Sequence, residues 1–154
     1  MMTAGSSQDD AKGRLRALLL GVGARAAGYW WLDGDRLVQR AFVGCDSLPE
    51  EVATGFAAAT KSVPLDRHDL GIVKAAYAEA FAASYAKGLP PEAGSGYWLR
   101  AFGADRSIAV PIRDDEGVVR AVVSLALADG PLSDAEVSER IVAAARPWIS
   151  ASTA

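Results

Sequence analysis

Two hydrophobic periodicities alternate along the chain. Near the start, Leu15, Leu18, Leu19 and Val22 follow the i, i+3, i+4, i+7 spacing of one helical face. Between residues 107 and 127, apolar residues instead alternate with small or polar ones on both sides of the charged segment RDDEG. The sequence therefore predicts an N-terminal amphipathic helix and a late β-hairpin, whose second strand is central because both of its faces are largely apolar.

An earlier hairpin is predicted from the aromatic segment GYWWLD, residues 28–33, and the segment RLVQRAFVG, residues 36–44. Asp33 and Gly34 favour a tight turn between them, because glycine accepts the positive φ that such turns require. Strand alternation sends Trp30 and Trp31 to opposite faces of the sheet. It also places four residues of the second strand on one face: Leu37, Gln39, Ala41 and Val43.

The middle of the chain is predicted to be mainly helical. Ser47 and Glu50 form a start pattern for a helix over 47–60. The segment SVPLD, residues 62–66, is predicted as an edge strand because a central strand does not accommodate Pro64. A helix over 70–84, a loop over 87–96 and a short helix over 97–102 follow.

The last predicted helix, over 137–148, follows a capping box formed by Ser133 and Glu136. Pro147 is expected to kink or end it. The full order is α, β, β, α, β, α, an irregular α, β, β, α, which differs from the strict alternation of parallel doubly wound sheets. We expect an α+β fold with a central antiparallel sheet of five to six strands. The predicted division is a disordered leader (1–10), one domain (11–150) and a tail (151–154).

Composition excludes several protein classes. The chain has 154 residues, 51% of them hydrophobic, with a net charge of −3. This charge gives no electrostatic basis for binding nucleic acid or an anionic membrane. No signal-peptide pattern and no run of roughly 18 apolar residues is present. A single cysteine, Cys45, favours a reducing compartment, so we expect a cytoplasmic protein.

The element order and three segments together resemble a GAF domain, over nearly the whole chain. The segments are GYWWLDGDRLVQRAFVG (28–44), SVPLDRHDLGIVKAAYAEA (62–80) and SIAVPIRDDEGVVRAVVSLALADGPLSDAEVSERIVAAA (107–145). The resemblance implies that the N- and C-terminal helices pack side by side on one sheet face, where such domains often dimerise. It also implies that residues 48–102 cover a ligand pocket on the other face.

The known ligand classes of that family fit this sequence poorly. Bilin-binding members carry a cysteine followed by histidine, whereas Asp46 follows Cys45. The Asn-Lys-Phe-Asp-Glu pattern of cyclic-nucleotide members is absent. Free methionine sulfoxide reductases share the fold but use several cysteines, and one thiol cannot both attack and resolve within one chain. Ligand and cofactor therefore remain unknown.

Six residues are candidates for ligand contact: Trp31, His68, Tyr97, Trp98, Arg100 and Ser124. The three aromatic residues offer flat faces for a planar ligand, with plain core packing as the alternative for Trp31. Tyr97 and Trp98 are predicted to lie in or beside a loop, where aromatic residues have less structural reason to occur.

The polar candidates have equally simple alternatives. His68 is a hydrogen-bond partner or an axial haem ligand, or else a solvated loop residue. Arg100 is a carboxylate or phosphate binder, or else one half of a surface ion pair. Ser124 donates to a ligand, or else is a small residue where a helix approaches closely. No catalytic constellation and no metal site are predicted, because the chain has one histidine and no paired motif.

We therefore expect a non-enzymatic GAF-type sensory or regulatory domain. It would bind a small, partly apolar or planar metabolite, form a homodimer through its terminal helices and signal through them to a partner protein. Two alternatives stay open: a homodimerising interaction module without a ligand, favoured by the alanine-rich middle segment, and a haem-type gas or redox sensor that uses His68.

Overall fold

The chain forms one antiparallel sheet with helices on both faces. The computed structural model describes residues 4–92 and 94–153. Its helices are α1 (Ala4–Val22), α2 (Glu50–Ala59), α3 (Gly71–Tyr77), α4 (Gly94–Phe102) and α5 (Asp134–Thr153). Its strands are β1 (Ala26–Asp33), β2 (Arg36–Gly44), β3 (Ser62–Pro64), β4 (Ala82–Tyr85), β5 (Arg106–Arg113) and β6 (Val119–Leu127). The strand order is β3-β2-β1-β6-β5-β4, which confirms the predicted α+β fold.

The terminal helices α1 and α5 cover one face of the sheet, as predicted. Leu15 and Leu19 of α1 and Ile141 of α5 pack with Val123 and Leu125 of β6 in one buried cluster. At the sheet edge, Arg106 Nη1 of β5 donates to Asp134 Oδ1 at the start of α5 across 2.6 Å. The helical layer is therefore joined to the sheet by close aliphatic packing and by a partly buried ion pair.

The helices α2, α3 and α4, here called the roof helices, cover the opposite face. Trp30 lies fully buried beneath them, and its Nε1 donates to the Thr60 carbonyl across 2.8 Å. The outer edge of its six-membered ring lies against Gly28, where an added Cβ would come within 2.1 Å of the Trp30 ring. The glycine at this position therefore makes room for the tryptophan.

One helix is shorter than its sequence pattern indicated. The prediction of a helix over 70–84 is wrong beyond Tyr77, because Ala78 turns extended and residues 82–85 form β4. This strand pairs with β5 at the sheet edge, with Ser84 opposite Ser107. Strand pairing here outweighs the helix propensity of an alanine-rich segment.

A β-bulge corrects the predicted faces of β2. Tyr29 pairs with Ala41 but Trp30 pairs with Gln39, so Arg40 is left out of the register. The extra residue reverses the side-chain alternation. Leu37 therefore packs with Trp30 on the roof side, while Ala41 packs on the side of the terminal helices.

The predicted start of α5 is confirmed, whereas the predicted start of α2 and the predicted end of α5 are not. Ser133 and Glu136 form the capping box, each backbone N–H donating to the other's side chain across 3.1 Å. Ser47 does not cap α2, because its hydroxyl accepts from Arg25 and α2 begins after Pro49. Pro147 does not end α5, which continues to Thr153.

Two remaining points concern the chain ends and the length of the helices. The helix α1 begins at Ala4, within the segment predicted as a leader, and residues 1–3 and 154 lie outside the described residues. The division into leader, domain and tail stays a prediction. No helix in the described part of the chain is long and apolar enough to cross a membrane.

Candidate functional site

A small cavity lies between the sheet and the roof helices. Its volume is about 50 Å³. Phe56 of α2 and Trp98 and Phe102 of α4 form an aromatic wall, and Leu70, Ile72 and Leu99 add aliphatic surface. Three serines also line it, one from each of α4, β5 and β6: Ser95, Ser107 and Ser124. The cavity lining is thus mainly apolar, with several hydroxyl groups among the apolar side chains.

Phe56 is the centre of the aromatic wall. Its ring centroid lies 5.1 Å from that of Trp98 and 5.0 Å from that of Phe102, both in edge-to-face geometry. A third ring, Phe42, lies 5.1 Å away, and Trp30 is 6.2 Å away. These contacts bring α2, α4 and the sheet together over the cavity, so any movement of Phe56 changes its size.

The hydroxyl side centres on Gly71, the first residue of α3. The Gly71 N–H donates to Ser95 Oγ across 2.9 Å. A Cβ added at Gly71 would lie 3.3 Å from Ser84 Oγ, 3.6 Å from Ser107 Oγ and 3.7 Å from Ser95 Oγ. We call these three hydroxyls the hydroxyl cluster. Among the described residues, Ser84 Oγ is buried and has no hydrogen-bond partner.

None of the described residues that line the cavity is charged. Arg100, predicted as an anion binder, instead donates to the carbonyls of Gly96 and Ala86 across 3.0 and 2.7 Å. It therefore fastens α4 to the segment after β4. The cavity wall offers hydrogen bonds and apolar contact, and it has no titratable group for acid–base chemistry.

The structure brings together only two of the six predicted site residues. Trp98 and Ser124 line the cavity. Trp31 packs on the face of the terminal helices, where Arg40 lies 4.3 Å above its ring and its Nε1 donates to Tyr29 Oη across 2.7 Å. Burial, which outweighs the opposing effect of this hydrogen bond, raises the pKa of Tyr29.

His68 and Tyr97 also lie outside the cavity wall. His68 is exposed, and its ring is 5.7 Å from that of Tyr77. Tyr97 is exposed and contacts Trp98 edge to face at 4.9 Å. His68 does not line the cavity, so a haem bound there would need a different axial ligand or a rearranged loop.

The sequence analysis did not identify Gly71 or the three serines of the hydroxyl cluster, Ser84, Ser95 and Ser107, as candidates for ligand contact. Ser107 lies on the same face of β5 as Ala109 and Pro111. The alternating pattern indicated that this is the less apolar face of the strand, so it gave no reason to expect a cavity there. Ser84 was assigned to a helix, and its pairing with Ser107 follows only from β4. The hydroxyl cluster therefore depends on one strand that the sequence pattern did not reveal.

Cys45 lies in a separate surface depression with Arg25, Ser47 and the end of α1. Burial raises the pKa of its thiol, but hydrogen bonds with Ser47 and the nearby Arg25 together outweigh burial and lower it below its usual value. The thiol does not line the cavity. Within the described part of the chain, no group of three or more His, Cys, Asp or Glu side chains is arranged to hold a metal ion.

Comparison with known proteins gives a fold but no close relative. No family model and no curated protein matches the sequence. The GAF domain/HD domain protein from Geobacter sulfurreducens is similar, with a TM-score of 0.65, 18% identity and 96% of each chain covered. The GAF-B domain of DevS from Mycobacterium smegmatis gives 0.59, with 20% identity and 92% of each chain covered.

One similar structure is an enzyme. Type II free methionine-R-sulfoxide reductase from Thermoplasma acidophilum matches with a TM-score of 0.64 and 14% identity, covering 95% of this chain and 94% of the other. At these identities the likeness concerns the fold alone. From the sheet order, the two helical layers and these neighbours together, we conclude that this chain has the GAF-domain fold.

Proposed function

We propose that this protein is a non-enzymatic sensory module that binds a small, partly apolar or planar metabolite between its sheet and its roof helices. The observation that carries the proposal is the cavity itself, which is lined by aromatic rings and by hydroxyl groups. Such a combination of apolar surface and a few polar groups is typical of small-molecule sites. The cavity has no acid–base group, which favours binding over catalysis.

Binding of a metabolite requires the roof to move. The cavity volume of about 50 Å³ is far below the roughly 300–1,000 Å³ of ordinary ligand pockets. Helix α2 is the element best suited to move, because none of its residues is fully buried and Phe56 is its main inward contact. Elements with little buried apolar surface open at low free-energy cost.

The strand β6 provides a route from the cavity to the terminal helices. Ser124 faces the cavity, while its neighbours Val123 and Leu125 pack against the layer formed by α1 and α5. A ligand that displaces α2 and presses on this strand changes the packing behind it. We infer that a partner protein in the cytoplasm reads this change through α1 and α5.

The test identifies the ligand first and then removes its site. Small molecules released from gently purified protein are identified by mass spectrometry, and a metabolite library is screened by NMR on labelled protein. Gly71→Ala places a methyl group in the hydroxyl cluster and should weaken binding by roughly tenfold or more. Gly21→Ala on α1, where a Cβ meets nothing within 4 Å, is the matched control and should bind normally.

Equal affinity of both variants, or a library in which no compound shifts the signals of cavity residues, contradicts the proposal. In that case the small cavity favours a second function, a homodimerising interaction module without a ligand. That function has its own measurement: sedimentation should show a dimer that dissociates on dilution, and a concentration-independent monomer rules it out.

A further inference from the structure

We propose that the group of the ligand that enters the hydroxyl cluster is uncharged, namely the hydroxyl, amide or ring N–H edge of a planar molecule. Carboxylates and phosphates are rejected at this end of the cavity. The inference rests on the proposed ligand-binding function and specifies the chemistry of its ligand.

The first argument is the unpartnered hydroxyl of Ser84. This side chain is 5% exposed, and its Oγ has no hydrogen-bond partner among the described residues. Buried hydroxyls in folded proteins are almost always hydrogen-bonded, so this one requires a partner that the chain does not supply. It lies beside Gly71, together with Ser107 Oγ and Ser95 Oγ, whose residues both line the cavity.

The second argument is the absence of a positive charge at this end. Three arginines of neighbouring segments already donate to protein acceptors: Arg100 to the carbonyls of Gly96 and Ala86, Arg25 to the Phe102 carbonyl, and Arg106 through its two Nη atoms to Asp134 and the Leu132 carbonyl. The buried Nε of Arg106 has no partner among the described residues, but the ion pair with Asp134 neutralises the charge of this guanidinium. An anion moved from water into a site without a counter-ion loses its hydration and gains too little in return. A neutral hydrogen-bonding group loses far less hydration free energy than an anion does. Serine hydroxyls can bond to it whether it is a donor or an acceptor, because they both donate and accept.

The third argument is the position of the aromatic wall. Phe56, Trp98 and Phe102 line the same cavity as Ser95 and Ser107, so a flat molecule with a polar edge can contact both kinds of surface at once. Aromatic rings pack edge to face or offset against one another, as these three already do. When α2 moves, the ring of the ligand takes the space that Phe56 leaves.

Three probes of matched shape test the inference on the whole protein: phenol, toluene and benzoate. Phenol is uncharged at pH 7 and has one hydroxyl, toluene lacks it, and benzoate carries a charge. Binding is followed by NMR shifts of Gly71 and Ser84 and by the rise in melting temperature. We expect phenol to bind roughly three- to tenfold more tightly than toluene, and benzoate to bind more weakly than both.

Two serine variants locate the polar contact. Ser84→Ala should weaken phenol binding roughly three- to tenfold and leave toluene binding unchanged. Ser138→Ala removes an equally buried hydroxyl from α5, outside the cavity, and should change neither. Removal of an unpartnered hydroxyl should not prevent folding, so both variants are measurable.

Benzoate that binds as tightly as phenol, or a Ser84→Ala variant with unchanged phenol affinity, overturns this inference while leaving the proposed function standing. If none of the three probes shifts the signals of cavity residues at concentrations on the order of 10 mM, this inference fails, while the metabolite library decides the proposed function separately.

Discussion

The two faces of the sheet are built from different side chains. The face under α1 and α5 is one continuous and mainly aliphatic cluster that includes Leu15, Val123, Leu125 and Ile141, all fully buried, together with the rings of Tyr29 and Trp148. The face under the roof helices is divided into two smaller clusters, is rich in aromatic rings and glycine, and encloses a cavity. Closely packed interiors stabilise a fold, while cavities and partly exposed helices permit rearrangement. The difference indicates a rigid support on one side and an adaptable layer on the other.

Each central strand contributes side chains to both faces of the sheet. Along β6, Ala121, Val123 and Leu125 pack with the terminal helices, while Val122 and Ala126 pack with roof residues. Any local change on one face therefore acts on a backbone shared with the other. The two faces should nevertheless differ in how much they lose when a side chain is shortened.

The largest expected effect is the truncation of a leucine on the face of the terminal helices. Leu125→Ala should lower the free energy of unfolding by about 3–5 kcal/mol, because the neighbouring side chains are packed all round it. Leu99→Ala, at a cavity-lining position, should cost about 2 kcal/mol, since Leu99 lacks contacts on its cavity side. Denaturant unfolding of both variants measures the two losses. Equal losses would refute the view that the faces differ in packing.

A smaller effect is expected where the roof face is tightest. Gly28→Ala would bring a methyl group within 2.1 Å of the Trp30 ring, so the ring must move and its hydrogen bond to the Thr60 carbonyl must lengthen. We expect a loss of about 1–3 kcal/mol, the usual cost of overpacking a core.

Gly13→Ala on α1 is the control for the glycine substitution itself. A Cβ there meets nothing within 4 Å, so the variant should be more stable than the wild type by about 0.5–1 kcal/mol. Thermal unfolding and the near-ultraviolet circular dichroism of Trp30 check both variants. A Gly28→Ala protein with unchanged stability would mean that the ring has room to shift, and the roof face would then be looser than the structure indicates.

The sequence contains enough information for five of the six described strands and for the terminal helices. Alternation over 107–127 and helical spacing over 15–22 come from local burial, and each repeats often enough to be read without the structure. The capping box of Ser133 and Glu136 is also a local pattern with a local cause. Elements whose periodicity reflects one continuous packed face are therefore predictable.

The candidate site was less predictable because its parts come together only in three dimensions. Trp98 and Ser124 were found, but Ser84 depends on β4, whose pairing with β5 is a long-range contact. The β-bulge at Arg40 likewise reversed the faces of Leu37 and Ala41 without any local pattern to indicate it. Irregular features of this kind are set by neighbouring strands rather than by their own sequence.

The smallest expected effect concerns the loop that leads into the roof face at α3. Here Arg67 Nε and Asp69 Oδ1 form an ion pair at 2.9 Å, and the Asp69 carbonyl accepts from the Ser95 N–H, so the loop joins α3 to α4. The hydrogen bond from Arg67 lowers the pKa of Asp69 below its usual value. Both side chains are about half exposed, at 50% and 45%, so water screens the pair.

A carboxyl group whose pKa is lower in the folded than in the unfolded state stabilises the fold above its unfolded pKa of about 3.9. That contribution is constant at neutral pH and is lost as the pH falls through the lower, folded value. Arg67→Gln should therefore raise the pKa of Asp69 toward its usual value and cost less than about 1 kcal/mol at pH 7. The difference from the wild type should vanish in acid.

Arg36→Gln is the control, because it removes hydrogen bonds to Ser62 and no carboxylate contact. It should leave the titration of Asp69 unchanged when both variants are followed by NMR of the carboxyl carbon. A loss well above that limit, persisting below the folded pKa, would show that the loop holds the roof helices in place through more than this ion pair, and the contrast between a rigid and an adaptable face would then weaken at this point.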